Sequence, residues 1–268
     1  MDQNISQYII LGIVQGLTEL LPISSTAHLA LVPWFLGWED PGLSLTVALH
    51  GGTLLAVLMY FRQDWMKMAV VCLNVLRARR AQNVEEKLFL FIVIATIPGA
   101  AAGYFLEDYA ETTFRSPLLM AGALALFSFV IIAAEKFGKH SLSAGDISWR
   151  KALFIGILQA CAIIPGVSRS GATISGGLFA GLKREEAARF SFLLSAPIIA
   201  GALVFLLPDF IAQGGGNGAF LAGITSAFIS GLFAIAFLMR FVQHHTLWVF
   251  VWYRFALAGI IVIFFFIQ

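Results

Sequence analysis

The chain alternates long apolar runs with short polar segments. A helix needs roughly 20 apolar residues to cross the hydrocarbon core of a bilayer. Six runs reach that length and predict six transmembrane helices, at residues 43–61, 87–106, 116–134, 187–207, 218–239 and 247–267. The more polar run at residues 66–80 predicts a helix that lies along the cytoplasmic membrane surface instead.

Two further apolar regions, residues 8–36 and 152–182, are interrupted halfway by a proline and a polar cluster. The interruptions are Pro22-Ile-Ser-Ser-Thr-Ala-His28 and Pro165-Gly-Val-Ser-Arg-Ser-Gly171. Proline removes a backbone donor and clashes with the preceding turn, so each region should divide into two half-helices of about 12 residues, or ~18 Å. Because that length reaches only the middle of a bilayer, we expect two re-entrant helix pairs.

The two interrupted regions also resemble each other in sequence. Gly12-Ile-Val-Gln15 matches Gly156-Ile-Leu-Gln159 at an offset of about 144 residues. Three predicted spans separate the copies, so the second copy should enter the membrane from the opposite side. Discontinuous helices in such inverted repeats meet near the midplane and build a site there. We therefore expect one integral-membrane domain over 1–268, with inverted-topology repeats at approximately 1–134 and 144–268.

Composition supports the same fold class and excludes others. Hydrophobic residues make up 59% of the chain and charged residues 12%, with a mean hydropathy of +0.88. Water-soluble domains carry about 25% charged residues, so the prediction is an all-α polytopic membrane protein. A net charge of +2 spread along the chain provides no surface for nucleic acid.

Basic residues concentrate in the loops on one side of the predicted spans, whereas the other side has Arg115 with several acidic residues. Basic loops stay in the cytoplasm, so both termini should lie outside. Only Arg169 and Arg254 remain as basic side chains inside the predicted bilayer.

Polar groups at membrane depth are costly and are therefore functional candidates. Ser24, Ser25 or Thr26 can cap the second half-helix of the first repeat, and His28 lies in its first turn. His28 follows Ser25 by three residues, within helical reach. This spacing suits a base that activates a hydroxyl nucleophile, or an acid for a leaving oxygen.

The second repeat offers an anion site. Ser168 is the expected cap of its second half-helix, followed by Arg169, Ser170 and Thr173. Helix N-termini carry unpaired N–H groups and partial positive charge, and a guanidinium matches phosphate oxygens bidentately. Two such termini and Arg169 suit an oxyanion with more than one charged centre, such as a diphosphate.

Gln15 and Glu19 share one face of the first half-helix. A carboxylate beside an anion is repulsive unless a cation bridges them, and Mg²⁺ commonly binds one or two carboxylates together with substrate phosphates. Glu19 is therefore the metal candidate, and Gln15 is a neutral ligand or positioning group.

Structural interpretations stay open beside these chemical ones. The hydroxyl residues can be caps alone, His28 can be hydrogen-bonded between helices, and Arg169 can pair with Glu19. His50 lies inside a predicted span, and the sequence does not decide whether its side chain faces the same site as these residues. Arg254 either supports a phosphate or makes a structural pair.

The run Gln15-Gly-Leu-Thr-Glu19-Leu-Leu-Pro-Ile-Ser-Ser-Thr-Ala-His28 resembles the first motif of the bacterial undecaprenyl-diphosphate phosphatases, also called bacitracin-resistance proteins. Pro165-Gly-Val-Ser-Arg-Ser-Gly-Ala-Thr-Ile-Ser-Gly-Gly177 resembles their second motif almost letter for letter. Phe190-Ser-Phe-Leu-Leu-Ser-Ala-Pro197 and Tyr253-Arg254 are similar as well, so the resemblance covers essentially the whole chain. Gln15 stands where many members have Glu, and Ala27 where many have Gly. The first departure weakens any scheme that needs two acidic ligands.

The resemblance implies hydrolysis of undecaprenyl diphosphate to undecaprenyl phosphate and inorganic phosphate, which recycles the lipid carrier for peptidoglycan. It implies Mg²⁺ or Ca²⁺ dependence and a site that opens to the outer face of the plasma membrane. Glu19 would hold the metal, Ser25 and His28 would be nucleophile and acid or base, and Arg169 would bind the diphosphate. Which of Ser25, His28 or water attacks stays open. The remaining substrate-binding candidates are Gln15, Ser24, Thr26, Ser168, Ser170, Thr173 and Arg254.

A transporter is the rival hypothesis, because midplane helix breaks in inverted repeats are also a transporter signature. An anion transporter or polyprenyl-lipid flippase would use the same midplane site, but has less need of Ser25, His28 and Glu19 together. The expected partners are the polyprenyl-diphosphate substrate and membrane lipids, not nucleic acid, and a homodimer stays open.

Overall fold

The computed structural model describes residues 5–39, 42–78, 84–106, 109, 116–212 and 218–267. Within these ranges the chain forms eleven α-helices, two single-turn 3₁₀ helices and an isolated bridge between Leu142 and Leu182, without a β-strand. The predicted all-helical fold class is thus confirmed.

The α-helices are α1 (Ile5–Leu20), α2 (Ser25–Leu36), α3 (Gly42–Tyr60), α4 (Arg62–Ala78), α5 (Val84–Phe105), α6 (Pro117–Phe137), α7 (Trp149–Ala160), α8 (Arg169–Phe179), α9 (Arg184–Ala212), α10 (Gly218–His244) and α11 (Trp248–Ile267). The 3₁₀ helices are Ala144–Asp146 and Cys161–Ile163.

Five helices in the described ranges are long and apolar enough to cross a membrane. They are Glu86–Phe105, Pro117–Phe137, Arg184–Phe205, Gly218–His244 and Trp248–Ile267. A sixth candidate is the pair Leu45–Tyr60 and Arg62–Val71, which is bent by 81° between its two helices. The prediction of a multi-pass membrane protein is therefore confirmed, with five or six apolar helices of sufficient length in the described ranges. The predicted surface helix at 66–80 falls on α4, and residues 79–80 lie outside the described ranges.

Both proline-containing regions are divided into two helices. The first break separates α1 from α2, and the second separates α7 from α8. The residue before each second helix, Ser24 or Ser168, has a φ of 74° or 72°. Residues other than glycine rarely adopt this left-handed conformation, so both helices start from a strained serine.

The first helix of each broken pair packs closely against a long apolar helix, α1 against α10 and α7 against α5. A Cβ added at Gly12 would overlap the carbonyl oxygen of Gly223, and one at Gly156 would overlap that of Ala95. Glycine at these positions lets the backbones approach, as in other small-residue helix interfaces in membranes.

Helix α9 lies at the centre of the bundle and contacts α3, α5, α8 and α10. Its side chains Phe190, Phe192 and Leu193 are fully buried and join Ile131 and Ile155 in the largest apolar cluster. This packing fixes α8, which carries Arg169, against the middle of the protein.

Candidate functional site

The two helix breaks touch each other directly. The backbone N–H of Gly166 donates to Ser24 Oγ over 3.2 Å, and Ser170 Oγ donates to the Leu21 carbonyl oxygen over 2.8 Å. Because each break bonds the other, the N-termini of α2 and α8 lie at one shared polar region.

Glu19, at the end of α1, is the centre of this region and is 7% exposed. Its Oε1 accepts a hydrogen bond from Arg169 Nη2 over 2.7 Å. Its Oε2 accepts a hydrogen bond from Ser25 Oγ and a longer one, 3.4 Å, from Gln15 Nε2. Four residues singled out from the sequence, two from α1 and one each from α2 and α8, are therefore in contact.

His50 of α3 reaches the same carboxylate. Its Nε2 lies 3.3 Å from Glu19 Oε2, and its Nδ1 lies 2.6 Å from the carbonyl oxygen of Thr46. The sequence did not predict which way the His50 side chain points, because the apolar pattern of residues 43–61 does not distinguish one face of the helix from another. The structure puts its side chain at the site.

Arg169 and its helix also contact Ser191 of α9. Its Nη1 donates to the Ser191 carbonyl oxygen over 3.2 Å, and the Ser191 hydroxyl lies 2.6 Å from Thr173 Oγ1. Thr173 Oγ1 also donates to the carbonyl oxygen of Arg169 over 2.8 Å. Sequence reasoning missed Ser191, although a serine at membrane depth within the Phe190-to-Pro197 run was an available signal.

The two half-helices begin differently. Ser168 caps α8, because its Oγ accepts from the Gly171 N–H over 3.1 Å and lies 3.2 Å from Ser170 Oγ. Ser24 precedes α2 but makes no side-chain cap, and its Oγ lies 3.1 Å from Thr26 Oγ1. The first N–H groups of α2 thus lack a side-chain cap in the described structure, which favours an anion there.

His28 lies beside this cluster but faces a different partner. Its Nδ1 is 2.7 Å from the Ser24 carbonyl oxygen, and its Nε2 is 2.6 Å from the hydroxyl of Tyr253. The two rings are stacked with an interplanar angle of 8°. Among the described residues Ser25 bonds Glu19 rather than His28, so the spacing that suggested a His28–Ser25 pair does not bring the two into a hydrogen bond.

Arg254 of α11 is fully buried and binds both breaks. Its guanidinium donates to Pro22 in the first break and to Gly166 and Val167 in the second, all through carbonyl oxygens. It also donates to Ser128 Oγ and to the Leu124 carbonyl oxygen of α6. These contacts match the structural interpretation of Arg254, because they hold the breaks together.

The described residues contain no cluster of three or more His, Cys, Asp or Glu side chains suited to a metal ion. Gln15 is fully buried, however, and its Oε1 has no hydrogen-bond partner among these residues. A buried acceptor without a partner is costly. This oxygen and the Glu19 carboxylate are the oxygen ligands that the site would offer a hard cation, which would take its other ligands from phosphate and water.

Comparisons with known proteins match this chain almost end to end. The family model described as bacitracin resistance protein BacA matches residues 8–260. Proteins named undecaprenyl-diphosphatase from Gemmatimonas aurantiaca and Pelotomaculum thermopropionicum are 45% and 46% identical, over 96% and 97% of this chain and 96% of each relative. The undecaprenyl-diphosphatase of Desulforudis audaxviator is 47% identical over 95% of both chains.

Proposed function

This chain belongs to the bacitracin resistance protein BacA family, and we infer from that premise that it is an undecaprenyl-diphosphatase. It hydrolyses undecaprenyl diphosphate to undecaprenyl phosphate and inorganic phosphate, in the membrane where its lipid substrate lies. The site chemistry described above supports this function and assigns parts of the reaction to individual side chains.

The contact between Glu19 and Arg169 carries the proposal, because it joins the two breaks at a charged centre. The partly buried guanidinium of Arg169 pairs with the Glu19 carboxylate, and the fully buried guanidinium of Arg254 bonds carbonyl oxygens of both breaks with no carboxylate partner among the described residues. This balance favours an anionic ligand. A diphosphate that enters would compete with Glu19 for Arg169 and would meet the N–H groups at the start of α2.

In the proposed reaction Ser25 attacks the terminal phosphorus. Its hydroxyl donates to Glu19 Oε2, so this carboxylate can accept the proton as the Ser25 Oγ–P bond forms. The bond between the terminal phosphorus and the bridging oxygen then breaks, and undecaprenyl phosphate leaves. Water completes the reaction by hydrolysing the phosphoserine, or attacks directly in place of Ser25. Arg169 stabilises the charge on the transferred group in either case.

In this scheme His28 supplies the proton to the leaving oxygen. Its Nδ1 faces a carbonyl oxygen, which only accepts, so Nδ1 carries hydrogen and Nε2 faces the Tyr253 hydroxyl. When His28 is protonated on both nitrogens, its Nε2–H donates to the Tyr253 oxygen while the Tyr253 hydroxyl gives its own proton to the bridging oxygen, so that the lipid phosphate departs and both side chains are left neutral. Tyr253 enters the scheme because of this contact.

A divalent cation, Mg²⁺ or Ca²⁺, fits Glu19 and the Oε1 atom of Gln15. Bound there, it would neutralise phosphate charge, and the substrate would supply the further ligands that the protein lacks. The substitution of Gln for Glu at residue 15 leaves one carboxylate for this role.

The polyprenyl tail has an apolar path away from the site. A groove with a volume of about 400 Å³ is lined by Leu31, Trp34, Met120 and Ile261, among others. Leu31 lies one turn beyond His28 on α2, and Ile261 lies two turns beyond Tyr253 on α11. We assign this groove to the isoprene units next to the diphosphate.

Inverted repeats and re-entrant pairs are part of the proposal. Ser24 and Ser168, with nearly equal φ angles, are 144 residues apart, as are the buried Gln15 and Gln159. A two-fold relation between the halves would exchange α1 with α7 and α10 with α5. The packing of α1 on α10 and of α7 on α5 agrees with this relation. External termini, a site open to the outer face, and a homodimer stay predictions.

Phosphate release from a polyprenyl diphosphate by the purified protein in detergent with Mg²⁺ tests the function. We expect release, and loss of release in the Ser25→Ala and His28→Ala variants. A transporter would instead move labelled lipid across liposomes without releasing phosphate, and that transport would survive His28→Ala.

A further inference from the structure

Both nitrogen atoms of His50 contact an acceptor oxygen. Nδ1 lies 2.6 Å from the Thr46 carbonyl oxygen, one turn earlier on α3, and Nε2 lies 3.3 Å from Glu19 Oε2. The side chain is 19% exposed and the Glu19 side chain 6%. The ring therefore connects the backbone of α3 to the carboxylate at the end of α1.

The two oxygens of Glu19 have different neighbours. Oε1 faces Arg169, whereas Oε2 faces Ser25 and His50, with Gln15 at a longer 3.4 Å. A carboxylate can rotate about its last bond and exchange its oxygens. The contact with His50 opposes that rotation and keeps Oε2 turned towards the Ser25 hydroxyl.

Helix α3 gives His50 a rigid support. The preceding residue, Leu49, is buried in one apolar cluster with Leu11 of α1. A Cβ at Gly52 would overlap the Ile224 carbonyl oxygen of α10, so α3 is held closely on that side as well. A side chain fixed in this way can position a reacting group to within a fraction of an ångström.

We infer that His50 is a positioning residue of this site, which holds the Glu19 carboxylate in the orientation that receives the Ser25 proton. The arrangement has the form of a triad, with Ser25 as nucleophile, Glu19 as base and His50 as the group that orients the base. This inference rests on the proposed phosphatase function and adds a residue that the family motifs quoted above do not contain.

A pair of amide variants tests the inference. The Nε2 amide of glutamine occupies nearly the same place as histidine Nε2, whereas asparagine is one methylene shorter and does not reach Glu19. We expect His50→Asn and His50→Ala to lower kcat roughly 10- to 100-fold with a smaller change in KM, as loss of an orienting partner does. His50→Gln should retain most of the activity.

Melting temperatures of all three variants and of wild type, measured in the same detergent, separate misfolding from loss of orientation. His244→Gln and His244→Asn, at an exposed histidine of α10, are the matched controls and should behave as wild type. Equal kcat values for folded His50→Gln and His50→Asn would overturn the inference, and so would full activity of His50→Ala. Failure of the wild type to release phosphate would instead overturn the proposed function.

Discussion

Replacement of Arg254 by methionine tests whether this side chain holds the two helix breaks in place. Methionine keeps much of the volume and removes all the donors. The guanidinium donates to Pro22 in the first break, to Gly166 and Val167 in the second, and to Leu124 and Ser128 on α6, over 3.0–3.3 Å.

The expected cost follows from the acceptors left behind. A buried acceptor without a partner costs roughly 1–3 kcal/mol. The contacts share one side chain, so their costs do not add. We therefore expect Arg254→Met to lower the free energy of unfolding by about 3 kcal/mol or more, because several buried acceptors lose their donor at once. Ser128→Ala, which removes one contact of Arg254 and the Ser128 hydrogen bond to the Leu124 carbonyl oxygen, should cost about 1–2 kcal/mol.

Thermal unfolding in detergent, followed with phosphate release on the same samples, measures both consequences. Arg254→Met should melt roughly 10 °C or more below wild type and should lose activity, because the breaks carry Ser25 and Arg169. Arg240→Met is the control, since Arg240 is exposed on α10. Wild-type melting and activity in Arg254→Met would refute the role given to these hydrogen bonds.

Two further predictions concern the cation and the helix packing. Glu19→Gln should abolish most phosphate release, and Mg²⁺ should protect this variant less against thermal unfolding than it protects wild type. The control Glu39→Gln should change neither property. Unaltered Mg²⁺ protection in Glu19→Gln would argue against Glu19 as a ligand. Gly12→Val should lower the melting temperature, because its side chain would overlap the Gly223 carbonyl oxygen of α10, whereas Gly122→Val on α6 should not, since nothing lies within 4 Å of a Cβ there.

The sequence predicted the helices well because each depends on a local property. Length and hydropathy located the apolar spans, and α4 follows from a polar stretch after a long apolar run. The breaks also have a local signal, since Pro22 and Pro165 each remove a backbone donor beside a polar cluster, which disfavours an uninterrupted helix there. The positive φ of Ser24 and Ser168 has no such signal, because neither residue is a glycine, the type that commonly adopts this conformation.

The site was harder to predict because it joins residues distant in sequence. The i,i+4 relation brought Gln15 and Glu19 together correctly, and the charge of Arg169 indicated an anionic partner. The spacing of Ser25 and His28 also predicted a local pair, but the two side chains turn to Glu19 and Tyr253 instead. His50 lies on a separate helix, and only the packing of α3 against α1 puts it beside Glu19.

The central claim is that Glu19, Ser25 and Arg169 form a centre that hydrolyses a lipid diphosphate. Initial rates of phosphate release from a polyprenyl diphosphate, for wild type, Arg169→Ala and the exposed-site control Arg240→Ala, test it most directly. We predict that Arg169→Ala loses roughly 10²–10³-fold in kcat while it remains folded, and that Arg240→Ala keeps the wild-type rate. An unchanged rate in folded Arg169→Ala would contradict the account.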